Sequence, residues 1–416
     1  MSTTARPVTV RDRLPLAAAL TASAVSTAGN AVTLVAVPLH VLQTTGSAAL
    51  TGLAGFCATA PVVLGGTLGG VLVDRLGHRR ASIAADLASG TTVAAVPLLH
   101  ASTGLPLWVL LVLVALGGLL DVPGQAARWA LLPELSAVAG VPLERATALT
   151  AAAERGARML GAPAGGALVV LLGAPGALAV DAVTFGLSAL LVARCVPATT
   201  AAPGLEPGQR DGYLRELAEG VAVVAREPLL RALVLLLVGT NLLDTAKLTV
   251  LLPVHATERL ADPAALGLLV GAFSGGALLG SLLWAAVGHR LPRRAAFTTA
   301  FLLCGAPPYA ALWLDLPLPA LVVVLVLTGA AAGPLNPVID AVLLERTPAA
   351  ARARVVGLVA ALCWLAGPLG PLLAGAAVSA AGSRPVLLGA GVAYLLLTLA
   401  PLRGGPWRGL RRDGVR

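Results

Sequence analysis

Charge is scarce in this chain of 416 residues: 12% are charged and 3% aromatic, while 57% are hydrophobic. So little charge cannot clothe a water-facing surface, and with a mean hydropathy of +0.88 the soluble globular class is excluded. The chain reads as an integral membrane protein. Its net charge of +9 would suggest nucleic acid in a soluble protein. Here the positive charge sits in short segments between apolar runs, and no basic, aromatic-interleaved domain exists to grip nucleic acid.

Cysteine is equally sparse. Cys57, Cys195, Cys304 and Cys363 are far apart with no Cys-x-x-Cys spacing, so a disulfide framework is not indicated and free thiols are expected. His40, His78, His100, His255 and His289 are scattered, which leaves no metal-ligand cluster in the spacing. No nucleotide-binding loop or nucleophile–base arrangement stands out, so neither ATP-driven work nor catalysis is indicated, and no cofactor is expected.

What the chain does have is long apolar runs. A helix needs about 20 such residues to cross the hydrocarbon, and every backbone group inside must be satisfied internally. On that rule twelve spans are expected, at about 14–42, 48–73, 81–101, 106–128, 147–173, 176–195, 229–255, 264–288, 295–314, 317–343, 353–380 and 385–402. The first run is too long for a signal-peptide core and is read as a retained span. Of the 29 basic residues, all but Lys247, Arg259 and Arg384 fall on one side of this layout. The positive-inside rule makes that side cytoplasmic, with both termini on it.

The layout divides into a cytoplasmic N-terminus (1–13), a six-helix bundle (14–195), a central loop (196–228), a second six-helix bundle (229–402) and a basic tail (403–416). In the central loop Leu214, Leu217, Val221 and Val224 recur near helical spacing, which predicts an amphipathic helix on the inner membrane surface, compatible with a simple tether. The tail suits contact with anionic lipid.

A glycine-marked basic turn joins the second and third spans: Gly70-Val71-Leu72-Val73-Asp74-Arg75-Leu76-Gly77-His78-Arg79-Arg80. A weaker cousin, His289-Arg290-Leu291-Pro292-Arg293-Arg294, recurs about half a chain later. Leu132-Pro133-Glu134 is echoed by Leu343-Leu344-Glu345, and Gly161-Ala162-Pro163-Ala164-Gly165-Gly166 by Gly367-Pro368-Leu369-Gly370-Pro371. Three echoes at similar offsets predict a duplicated six-helix unit.

These motifs resemble the major facilitator superfamily along essentially the whole chain. The 70–80 segment matches that superfamily's loop between spans two and three. Gly161 to Gly166 is similar to the Gly-Pro-x-x-Gly-Gly motif in span five of drug and metabolite exporters, with Ala162 where proline is usual and Pro163 after it. Asp121 to Glu134 and Gly333 to Val355 resemble the efflux branch that includes macrolide and siderophore exporters. The arginine inside span four of proton-coupled drug antiporters has no match, Arg128 lying near the end of the expected span.

The resemblance implies an all-α fold of two pseudo-symmetric six-helix bundles and a conformational latch at Gly70, Asp74, Arg75, Gly77, Arg79 and Arg80. Asp74 would meet the N-terminus of span eleven, near Arg352 to Val356; the alternative is that these charges only anchor a loop. Spans one, four, seven and ten are implied to line the cavity, and they hold Asn30, Asp121 with Gln125, Asn241 with Asp244 and Lys247, and Asn336 with Asp340. Each pair is three or four residues apart and shares a helix face. Charge inside a membrane is costly enough to mark a path for substrate or proton. Two alternatives stay open: Asp244 with Lys247 as a structural ion pair, and Asp340 capping an interface. Asp86 and Asp181, on spans three and six, read as structural. Gly161, Pro163, Gly165 and Gly166, with Gly156, read as helix packing, whether motif-specific or generic.

The expected function is secondary active transport, a proton-driven exporter of drug-like or natural-product molecules working by alternating access as a monomer in the lipid bilayer of the cell's inner membrane. So few aromatics predict a smooth apolar cavity. An uptake symporter for a small metabolite and a non-transporting sensor are the alternatives.

Overall fold

The computed structural model describes residues 10–102, 104–197, 221–347 and 352–410; within them the side chains of Asp74, Arg75 and Arg354, among others, lie outside the described set. The described residues are helical throughout, without a strand. They contain ten helices long and apolar enough to cross a membrane. One of these, Leu143–Cys195, has 53 residues. At 1.5 Å per residue a straight helix of that length would run about 80 Å, far beyond a hydrocarbon core of about 30 Å. Gly173 breaks it, at φ 72° and ψ 168°, a backbone open to glycine alone, so the fifth and sixth spans are its two arms. Ala48–Leu76 is a further helix, and the total is consistent with the twelve expected spans. Many large apolar side chains face outward, Leu171 at 76% exposure among them, which suits hydrocarbon and not water.

The chain forms two compact units, one of residues 1–36 and 61–205, the other of 37–60 and 206–416. In the first, Leu16, Ala19, Ala22, Leu131, Leu135 and Val192 form an apolar core. The third span, His78–Ser102, packs on the fourth, Leu107–Val138, and on Leu143–Cys195. The fourth span runs ten residues past its expected end at Arg128, because Leu131, Leu132 and Leu135 continue the buried face of the helix.

In the second unit the seventh span, Pro228–Glu258, contains a π-helical turn at Lys247–Leu251. The eighth, Pro263–Val287, and the tenth, Leu318–Arg346, meet backbone to backbone at Gly276, Gly280, Gly329 and Gly333. The ninth is Arg293–Trp313 and the twelfth Ser383–Leu399. The eleventh is Arg352–Ala366 continued by Leu369–Ala381, broken at Gly367 and Pro368.

Residues 37–60, assigned to the first bundle, group with the second unit, since Gly52 and Gly55 let the second span lie against Pro371, with Gly375 against Ala48. The start of the tail turns through Ala400–Arg403 and Gly405–Leu410, placing Trp407 (5% exposed) and Leu410 (0%) in the core with Leu229, Leu233 and Phe297. Residues 411–416 lie outside the described set, as does most of the amphipathic segment; of that segment 221–226 is helical and Val224 joins the same core.

Candidate functional site

In the first unit the fourth span carries two polar clusters on one face. Asp121 is buried, and its Oδ2 accepts hydrogen bonds from Asn30 Nδ2 (2.9 Å) and Gln125 Nε2 (2.6 Å). Its Oδ1 is buried with no hydrogen-bond partner among the described residues. The expected trio of Asn30, Asp121 and Gln125 is thus brought together, and both donors are neutral amides.

Two turns further along, Arg128 Nη1 reaches both oxygens of Asp86, at 2.8 and 2.9 Å. Ser188 donates to Asp86 (2.7 Å), and Ser26 and Ser82 lie near the guanidinium. From hydropathy alone Arg128 is expected near the end of its span. It is buried well inside the helix, and the charge balance was the missed signal: an aspartate sealed in span three requires a cation, and span four offers one. Asp181 accepts from Thr33 and Thr184 and lies against Gly29.

In the second unit Lys247 Nζ donates to Asp244 Oδ1 at 2.7 Å, the ion pair that the spacing allowed. The ammonium lies 5.3 Å from the ring centre of Tyr309 and 5.9 Å from those of Phe273 and Tyr394. Tyr394 donates to Asp244 Oδ2 (3.1 Å), and Tyr309 to the Leu243 carbonyl (2.8 Å). Two of the chain's 3 tyrosines, each 1% exposed, converge on its one intramembrane lysine. A lysine within a span, in a chain so poor in tyrosine, was the signal that could have found them.

The remaining residues of the expected path do not join these clusters. Asn241 donates to the Leu237 carbonyl of its own helix (2.8 Å). Asn336 and Asp340 are exposed, and neither forms a hydrogen bond or ion pair among the described residues.

At the basic turn Gly77 adopts φ 77°, which permits the sharp reversal between spans two and three. Arg79 Nη2 donates to the Ala193 carbonyl (2.5 Å), near the end of the sixth span, where unpaired carbonyls attract a cation. Arg294 repeats this in the second unit on the Pro401 carbonyl (2.9 Å). Arg80 is exposed, Gly70 lies within the second-span helix, and the side chains of Asp74 and Arg75 fall outside the described set.

Gly161 and Gly165 sit against Ala28 and Val32 of the first span, while Gly370 sits against Leu242 and Thr245 of the seventh, so the motif echo is also a packing echo. Gly90 against Phe185 and Gly305 against Tyr394 form a second such pair. Pro163 lies within the same helix, half-buried beside Gly165 and Gly166. Gly156 has nothing within 4 Å of where a β-carbon would stand, so it does not serve close approach.

The sequence profile of the Major Facilitator Superfamily matches residues 19–260 and again 234–406. The chain belongs to that superfamily. It is therefore a multi-pass membrane transporter of small molecules and not an enzyme. Among superfamily members, it is 34% identical over 394 residues to the multidrug efflux pump Tap of Mycolicibacterium fortuitum, covering 94% of this chain and 95% of that one. It is 32% identical over 395 residues to the pump of the same name from Mycobacterium tuberculosis, covering 94% of each. Among solved structures, the nucleoside transporter NupG shares the fold with a TM-score of 0.73 at 12% identity, over 95% of this chain and 98% of that one. A bacterial homologue of the human lysosomal transporter Spinster gives 0.69 at 15%, over 98% and 100%.

Proposed function

We propose that this protein is a proton-driven exporter of drug-like or natural-product molecules, acting as a monomer in the bacterial cytoplasmic membrane with both termini inside. Similarity to multidrug efflux pumps along 94% of the chain carries the reading. The one-sided distribution of basic residues supports the orientation.

Asp121 is the proton carrier in this reading. A buried carboxylate with neutral donors alone costs several kcal/mol when ionised in a low-dielectric medium, so a proton is the natural partner for its free oxygen. Asp86 is already neutralised by Arg128 and has no such need. The basic turn from Gly70 to Arg80 acts as a conformational latch through Asp74, while Arg79 holds the turn to the sixth span. Asn241, Asn336 and Asp340 complete the polar path of the second unit.

Inverted membrane vesicles test the export reading. They should accumulate a fluorescent drug when the lumen is acidified and lose it on adding an uncoupler; accumulation in right-side-out vesicles instead would mark an uptake symporter. Asp74→Asn should reduce transport without loss of membrane insertion, and full activity would remove the latch.

A further inference from the structure

The geometry points to a cation-exchange site at Asp244, where a monovalent organic cation takes the place of the Lys247 ammonium and the lysine gives up its proton. This rests on the export reading and names its substrate class.

The surroundings of Lys247 are those of a receptor for amines. A carboxylate at 2.7 Å and three aromatic rings at 5.3 to 5.9 Å surround one ammonium group. Such a cage holds a compact cation by charge and ring quadrupole, and with Tyr309 and Tyr394 each 1% exposed it is the Asp244 carboxylate that stays open to a larger cation. Here the ligand is a side chain of the protein itself.

The exposure of the pair is asymmetric. The Lys247 side chain is 8% exposed and that of Asp244 42%, so the carboxylate is reachable while its partner is enclosed. Tyr394 holds the second carboxylate oxygen, which fixes the acceptor without adding charge. The π-helical turn begins at Lys247, three residues from its partner, and turns of this kind recur at functional sites. The titratable groups facing the ammonium are Asp244 on its own span, Cys304 and Tyr309 on the ninth and Tyr394 on the twelfth. Among these Asp244 alone is an anion, so one carboxylate stabilises one cation.

The exchange balances in atoms and charge. The arriving cation pairs with the Asp244 carboxylate; one N–H bond of Lys247 breaks, its electron pair stays on nitrogen, and the proton leaves to water. A displaced lysine that kept its proton would leave two cations sharing one carboxylate in an apolar surround, which is strongly unfavourable. Cation and proton therefore exclude one another, as antiport requires.

The test uses the purified full chain in lipid nanodiscs with tetraphenylphosphonium as probe, binding read by equilibrium dialysis and proton release by a pH dye in weak buffer. Carrying Asp121→Asn throughout removes the first-unit carboxylate as a proton source. That protein should release close to one proton per cation bound. Adding Lys247→Met should abolish release and tighten binding by about tenfold, while adding Lys247→Arg, a cation that does not give up its proton, should abolish release and weaken binding by about tenfold. Adding Asp244→Asn should remove binding. Release that survives both lysine variants, affinity unmoved by Asp244→Asn, or no binding by folded protein overturns the proposal. Because no gradient or direction enters, vesicles that fail to export while this exchange persists would overturn the export reading alone.

Discussion

Arg128 contacts both carboxylate oxygens of Asp86 through one guanidinium nitrogen, joining the third and fourth spans in a site sealed from solvent. Removing one partner leaves an uncompensated buried charge. Arg128→Met should cost about 3 to 5 kcal/mol, and the double exchange Asp86→Leu with Arg128→Met should recover much of it. Denaturant titration in mild detergent measures both; equal loss in the single and double variants would show the pair to be incidental.

Asp121 leads to a prediction about coupling. Asp121→Asn should leave drug binding in place but reduce the dependence of export on external pH to the part carried by Lys247, because an amide cannot take up and give off a proton. Gln125→Leu, which removes one of the two donors to Oδ2, should shift the pH profile without flattening it. Identical profiles for wild type and Asp121→Asn would assign the proton elsewhere.

The packing of the fifth span on the first yields a matched pair. A β-carbon at Gly165 would stand 2.9 Å from the Val32 Cα, so Gly165→Val should destabilise by about 1 to 3 kcal/mol. Gly156→Ala places a methyl group in open space and should be neutral or slightly stabilising. Thermal unfolding followed by a thiol-reactive dye, read against wild type, separates them.

Trp407 closes the base of the second unit with Phe297, their ring centres 6.2 Å apart. Trp407→Ala should cost about 3 to 5 kcal/mol and lower the unfolding temperature, without altering a neutral drug's affinity in protein that remains folded. No change in melting would return the tail to the membrane surface.

The fold was legible because the bilayer imposes a coarse rule that composition obeys. Span positions, the break near Gly173 and the duplicated halves all follow from apolar runs and glycine motifs. The clusters were half legible. Asn30, Asp121 and Gln125, and Asp244 with Lys247, lie at spacings where local helix geometry dictates contact or the family motif places them. Arg128 was misjudged because a helix end read from hydropathy stops at the first charge, although a paired charge can sit deep within. Tyr309 and Tyr394 were invisible because they reach Lys247 from two other spans, and no local spacing encodes that meeting. The packing of Trp407 was not legible because arginines dominate the composition of the tail while a single tryptophan decides where its first residues pack.

The lysine held among three rings also sets how tightly anything else can bind there. A free cation competes against one on a short tether, whose effective concentration is of the order of millimolar or more. The intrinsic attraction of the cage is thereby discounted for every solute equally. A site built this way captures loosely and lets go fast, so it favours turnover across many solutes over retention of one.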